Sequence, residues 1–149
     1  YRVGLRVARR LPSIARPVFT LVGPAIRRWP GFFVRRIAAG ATAPDRAFFR
    51  DPECTALFLA TFREAFRRGT AGAVRDGQLY ARPWGFRLEE IRMTVHLWHG
   101  ELDNVVPVAF GRHVASRIPD CRATVFPDEG HFSFATRRAD EIVAAFDDV

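Results

Sequence analysis

The order strand–helix–strand–helix over residues 91–149, behind a longer helical stretch, predicts an α/β protein. Three observations carry this. A short apolar run, Ile91 to His99, ends at Gly100 and has the length of a buried strand. A second short run, Cys121 to Phe126, follows after one helix-length segment, the pattern of a parallel pair joined by a right-handed crossover. Upstream of Ile91, apolar residues recur at helical rather than alternate spacing, so residues 1–90 are expected to hold helices and no sheet.

Residues 1–39 are Arg-rich, and Pro12, Pro17, Pro24 and Pro30 cut them into short helices. A turn or two of helix is expected from Pro44-Asp45-Arg46 to Arg50. A longer helix then starts at Asp51-Pro52, with Asp51 as cap and Pro52 first. Phe58, Phe62, Ala65 and Phe66 form its apolar stripe, which reads as core. Gly69 to Gly72 loosens the chain before a helix from Ala73 to Tyr80. Arg82-Pro83-Trp84-Gly85-Phe86 reads as a loop whose two aromatic rings either touch a substrate or, the favoured reading, plug a seam between layers.

After the first strand, Pro107 starts a helix to about Ile118, with Val108, Phe110, Val114 and Ile118 inward. In the second strand either Ala123 and Phe126 or Thr124 and Val125 face the core. Thr136 is placed to cap a final helix ending near Phe146, with Ile142, Val143 and Phe146 inward.

The 149 residues are 48% hydrophobic and carry a net charge of +7, which suits a folded domain with its own core. The charge is uneven: residues 1–90 hold 17 basic and 7 acidic residues, and residues 91–149 hold 6 and 9. A basic amphipathic stretch can bind an anionic membrane or nucleic acid, but it is also the ordinary look of helices with solvated Arg faces, and no nucleic-acid module is legible in it. Cys54 and Cys121 make neither a disulfide framework nor a zinc spacing, so a reducing, cytoplasmic setting is expected. The longest uncharged apolar run, Pro17 to Ile26, is 10 residues, against the roughly 20 that a membrane-spanning helix needs. No cofactor is expected, and no metal, because His96 and His99 stand three apart on one strand and face opposite ways.

The chemistry lies at two strand ends. His99-Gly100-Glu101-Leu102-Asp103 is a strand running into a glycine turn that presents an acid, and Glu129-Gly130-His131-Phe132-Ser133 is a strand exit that presents a histidine. Ligands of parallel sheets gather outside the carboxyl ends of the strands. Asp103 and His131 are therefore expected to converge, the acid holding one imidazole nitrogen while the other takes a proton from a nucleophile. The nucleophile itself belongs earlier in the chain, on a Gly-x-Ser-x-Gly turn. Ser13, Ser116 and Ser133 are not in such a turn.

His99, Gly100, Asp103, Val106 and Pro107, followed by Gly130, His131 and Phe132, resemble the C-terminal part of the α/β-hydrolase superfamily from about Ile91 onward. The resemblance implies that the two strands are the last two of a central sheet, that Asp103 is the triad acid and that His131 is the triad base. It implies that residues 1–90 stand where that family inserts its helical cap or lid, in the style of bacterial hydrolases with an Arg-Pro-Trp-Gly-Phe exit, and that residues 91–149 are the C-terminal part of the core. In that family the nucleophile and the oxyanion loop precede the cap, so both are expected upstream of Tyr1, and the chain alone is expected to be inactive. The implied substrate is a small-molecule ester or similar apolar compound, with epoxide, C–C bond and haloalkane chemistry left open. The rival from another class is a non-catalytic basic helical module that binds an anionic surface or partner, with Asp103 and His131 structural. Two strands with an exposed edge make a poor folding unit, so self-association of the chain is expected.

Overall fold

The computed structural model describes residues 24–25, 28–80 and 82–146. The short helices and Ser13 expected before residue 24 lie outside the described residues. In chain order the elements are α1 (Pro30–Ala39), α2 (Ala43–Arg50), α3 (Pro52–Ala65), α4 (Ala71–Tyr80), a 3-10 turn (Leu88–Glu90), β1 (Val95–Gly100), α5 (Val108–Ala115), β2 (Cys121–Phe126), α6 (Ser133–Arg137) and α7 (Ala139–Ala144). They sort into two compact units, Tyr1–Ala39 with Pro52–Phe86, and Gly40–Asp51 with Arg87–Val149.

In the first unit α1 packs on α3, and Val34 is the buried side chain of α1's inner face. Pro30 and Pro52 each open a helix, where a missing N–H costs no hydrogen bond. Along α3 the ring of Phe58 stacks on Phe62 at 6.0 Å, and Phe62 meets Phe66 edge-on at 4.9 Å. These are the neighbour contacts of a helical stripe, but the stripe is half-buried rather than core. Gly69 turns the chain between α3 and α4 at φ +99°, which a residue with a side chain resists. Trp84 and Phe86 are more than half exposed and lie against each other at 5.8 Å, so they do not plug a seam. Among the described residues no strand precedes β1.

In the second unit β1 and β2 pair in parallel from Val95↔Cys121 to Gly100↔Phe126. The first strand is shorter than its apolar run. Its ladder starts only where Asp120 supplies a partner: Val95 N–H donates to Asp120 O at 2.9 Å, and Thr94 Oγ1 donates to Asp120 Oδ2 at 2.5 Å. Nothing in β2 lies opposite Ile91 to Met93, because Pro119 and Asp120 turn the chain before the strand begins.

The helix α5 packs on both strands. It comes so near β1 at Gly111 that an added Cβ would sit 2.5 Å from His99 Nδ1. On the other face, His96 stacks on Trp98 at 5.6 Å and Phe146 lies 6.0 Å from Trp98. The two histidines of β1 thus face opposite ways, as period-two alternation requires. The sheet is thinly covered: β1 is half-buried up to Gly100, and Arg122 to Thr124 of β2 are exposed. Val125 and Phe126 are covered while Ala123 and Thr124 are not, which matches neither expected pairing of inward residues. Ile118 is inward as expected, but Phe110, Val143 and Phe146 are exposed, because the described residues supply no layer against them.

The final helix is broken in two. Thr136 does not cap it: its hydroxyl donates to Ser133 O at 3.1 Å from inside α6, the backward bond that Ser and Thr make within helices. The chain bends at Arg138 (φ −117°, ψ 15°) before α7.

The carboxyl ends of both strands are stitched together. Glu101 N–H donates to Phe126 O at 2.8 Å and Leu102 N–H to Glu129 O at 2.9 Å. This approach leaves no room for a side chain at Gly100, where a Cβ would stand 2.5 Å from the carbonyl oxygens of Glu129 and Gly130. Gly100→Ala should therefore cost about 1–3 kcal/mol of unfolding free energy, because backbone atoms must move. Gly77→Ala in α4, where a Cβ meets nothing within 4 Å, should be neutral or stabilising by about 0.4–1 kcal/mol. Urea unfolding of both variants checks this, and equal costs would contradict the close approach.

Candidate active site

Asp103 follows β1 by three residues and turns its carboxylate back under the loop it begins. Its Oδ1 accepts the backbone N–H of Val105 at 2.8 Å and of Val106 at 2.7 Å. This is the local turn that aspartate favours. Its Oδ2 accepts Nδ1–H of His131 at 2.8 Å, and the Asp103 side chain is only 4% exposed. His99 braces the same loop from the strand: its Nε2–H donates to Val106 O at 2.8 Å and lies 3.5 Å from Asp103 Oδ2. Pro107 then sets the entry of α5. The residues between His99 and Pro107 thus serve to hold one carboxylate, with both oxygens occupied by donors.

A carboxylate so placed fixes the tautomer of its partner. With Nδ1 donating to Asp103, neutral His131 carries its lone pair on Nε2, the form a general base needs. The His131 side chain is 32% exposed, and among the described residues Nε2 takes no hydrogen bond. The ring stands edge-on to Phe132 at 4.8 Å. Phe132 in turn meets Phe48 and Phe49 of α2 at 5.9 and 5.1 Å.

The loop that carries His131 is held by charged groups on both sides. Glu129, fully buried, accepts Arg138 Nε–H at 3.1 Å, with Arg137 Nη1 3.5 Å from its second oxygen. Arg138 also bonds Glu141 and Asp128, and its guanidinium lies over the Phe126 ring at 5.2 Å. Its hydrogen bonds to Glu141 first, and then to Glu129, raise its pKa above the ordinary arginine value. Gly130 N–H donates to Ser133 Oγ at 2.9 Å.

On the other side stands Asp45 of α2, also fully buried. It accepts the backbone N–H of His131 at 2.9 Å, Phe132 at 2.8 Å and Ser133 at 3.0 Å. Thr42 adds its hydroxyl at 3.3 Å, and Asn104 Nδ2 ties the Asp103 loop to Gly40 O at 2.8 Å. Gly130 is required here, because a Cβ on it would collide with the Asp45 carboxylate.

The structure thus brings together the two residues singled out from the sequence, Asp103 and His131. No serine joins them among the described residues: Ser133 is committed to Gly130, and Ser116 donates from the end of α5 to His113 O at 2.9 Å. Asp45 escaped sequence reasoning. Among the described residues no group of three or more His, Cys, Asp or Glu is set to hold a metal ion, and no helix is long and apolar enough to cross a membrane.

Comparison with known proteins agrees with the fold. No protein-family model matches the chain. Over 57 residues it is 37% identical to a pimeloyl-[acyl-carrier protein] methyl ester esterase of Aromatoleum aromaticum, a match covering 38% of this chain and 23% of the esterase. Among solved structures it resembles BpoC from Mycobacterium tuberculosis H37Rv, described as a non-heme bromoperoxidase, with a TM-score of 0.52 and 22% identity over 87% of this chain and 51% of that one. The structure of Rv0554 from Mycobacterium tuberculosis matches with the same score and identity, over 50% of its length. The chain spans about half the length of these structural neighbours. The chain resembles, and has the fold of, a C-terminal part of an α/β-hydrolase.

The Asp103–His131 bond can be checked directly. The Nδ1–H of His131 should give a downfield, slowly exchanging proton resonance. Asp103→Ala should abolish it and speed exchange of the Val105 and Val106 amides by roughly tenfold, the worth of about one buried hydrogen bond. Ser116→Ala should change neither. A resonance that survives Asp103→Ala would belong to another pairing.

Proposed function

We propose that the chain supplies the acid and the base of a hydrolase triad, with Asp103 orienting His131 and His131 activating a nucleophile carried upstream of Tyr1. The observation that carries this is the 2.8 Å bond between buried Asp103 and the half-exposed His131, with Nε2 turned to no protein partner among the described residues. In the proposed reaction Nε2 takes the proton of a serine-type hydroxyl as that oxygen attacks an ester carbonyl. The imidazolium, stabilised by Asp103, then returns the proton to the leaving alcohol. Water repeats the cycle to release the acid. The similarity to an esterase supports an ester substrate for this site. In this reading residues 1–90 correspond to the helical cap of such an enzyme, and the chemistry calls for no cofactor.

The test compares the 149-residue chain with a longer form that carries the upstream nucleophile, using a chromogenic ester. The short chain should be inactive, because a base without a nucleophile forms no covalent intermediate. In the longer form His131→Ala should abolish turnover and Asp103→Asn should lower kcat by about 10⁴-fold, the loss seen when the acid no longer holds the correct tautomer. Turnover by the short chain that disappears with His131→Ala would place a nucleophile within these residues and overturn the upstream assignment.

The uncovered sheet also has a consequence for the short chain. Trp98, Phe110, Val143 and Phe146 lie on or beside two strands with little packed against them, so the chain should self-associate. Sedimentation velocity should show species larger than 16.9 kDa. A monomer that unfolds cooperatively would contradict this.

A further inference from the structure

We infer that Asp45 is the positioning residue of the proposed base, holding the His131 backbone as Asp103 holds its ring. The inference rests on the triad reading of the site and adds to it a residue from a separate stretch of the chain.

Asp45 lies on α2, 86 residues before His131, and it is 0% exposed. A carboxylate withdrawn from water needs charge-assisted hydrogen bonds to offset its lost solvation. Asp45 finds them in three consecutive backbone amides, His131 on Oδ2 and Phe132 and Ser133 on Oδ1, with the Thr42 hydroxyl as a further donor to Oδ2. Three successive N–H groups gathered on one anion leave those peptides a single orientation. The direction of the Cα–Cβ bond of His131 follows from that orientation, and so does the place of its imidazole. Asp103 acts on the other end of the same side chain, through Nδ1. The two carboxylates have separate tasks: one sets where the ring stands, the other sets how it is turned and which nitrogen is free.

Two further features fit this role and not that of a local helix cap. Asp45 is the third residue of α2, where an acid ordinarily bonds back to its own helix start; here only the longer Thr42 bond is local, and the three shorter ones come from the backbone that follows β2. Gly130 leaves the space its carboxylate occupies, so the Gly-His pair at the strand exit is shaped around Asp45. The rings of Phe48 and Phe49 bring the same helix against Phe132, so α2 and the His131 loop move together. A shift of about 1 Å in a catalytic group costs on the order of 10²-fold in rate. Loss of Asp45 should therefore reach kcat without touching substrate binding.

The test has two arms. In the unaltered 149-residue chain, hydrogen exchange should show the amides of His131, Phe132 and Ser133 as protected as those of β2. Exchange at the rate of an open loop would overturn the proposal, and this arm does not depend on any variant folding. In the longer form, Asp45→Asn, which keeps the shape and leaves one oxygen where there were two, should lower kcat for an ester about 10–100-fold with KM unchanged. The same substitution should shift or broaden the His131 Nδ1–H resonance. Unchanged kcat and an unchanged resonance would overturn the role of Asp45. His131→Ala is run alongside: if it leaves turnover intact while Asp45→Asn still displaces the resonance, the triad reading fails and the positioning of His131 by Asp45 stands.

Discussion

A carboxylate with no access to water must take its hydrogen bonds from the protein, and Asp45 takes them from the backbone that carries His131. Much of the second unit can be understood from this arrangement. It explains why α2 packs with α6 although nearly ninety residues separate them, and why glycine precedes the histidine. Removing the carboxylate would strand three donors, each worth about 1–3 kcal/mol when left buried and unpaired. The site is therefore rigid where it meets the proposed chemistry, even though the sheet beside it is thinly covered.

The second constraint is the meeting of the two strand ends. Parallel pairing in register brings Gly100 level with Phe126, and the bonds from Glu101 and Leu102 then carry the first exit across to the second. With the exits joined, three further residues bring Asp103 to the imidazole. The 27 residues between acid and base are one helix, one strand and three short connections. Proton transfer of the proposed kind needs a lone pair held in one direction rather than a strong base, and both neighbours of His131 serve that need.

The meeting of Asp103 and His131 was legible in the sequence because both stand beside glycines and a proline at strand ends. Strand, Gly turn, acid, Pro and helix, then strand, Gly and His, leave few arrangements open once parallel pairing is assumed. What the sequence hid has a common cause. An acid at the third position of a helix, three residues after Thr42, reads as a local cap, and nothing in its neighbours says that its partners lie beyond β2. The same locality misled at Thr136, which bonds within α6 rather than capping a new helix. The faces expected inward on the last helices failed in part, for a different reason. Periodicity marks which face is apolar and not whether a neighbour exists to bury it, so Phe110 and Phe146 remain exposed.

The account depends on two acids from distant parts of the chain acting on one histidine, and a double-mutant cycle measures this most directly. Unfolding free energies of Asp45→Asn, Asp103→Asn and the double variant would be compared with the parent at one protein concentration, because self-association adds to apparent stability. Residues that share a partner couple by about 0.5–3 kcal/mol. The account predicts a coupling in that range, the second loss costing less once the first has freed the His131 loop. Costs that add to within about 0.3–0.5 kcal/mol would mean that the two carboxylates act independently, and the joint support of His131 would be contradicted.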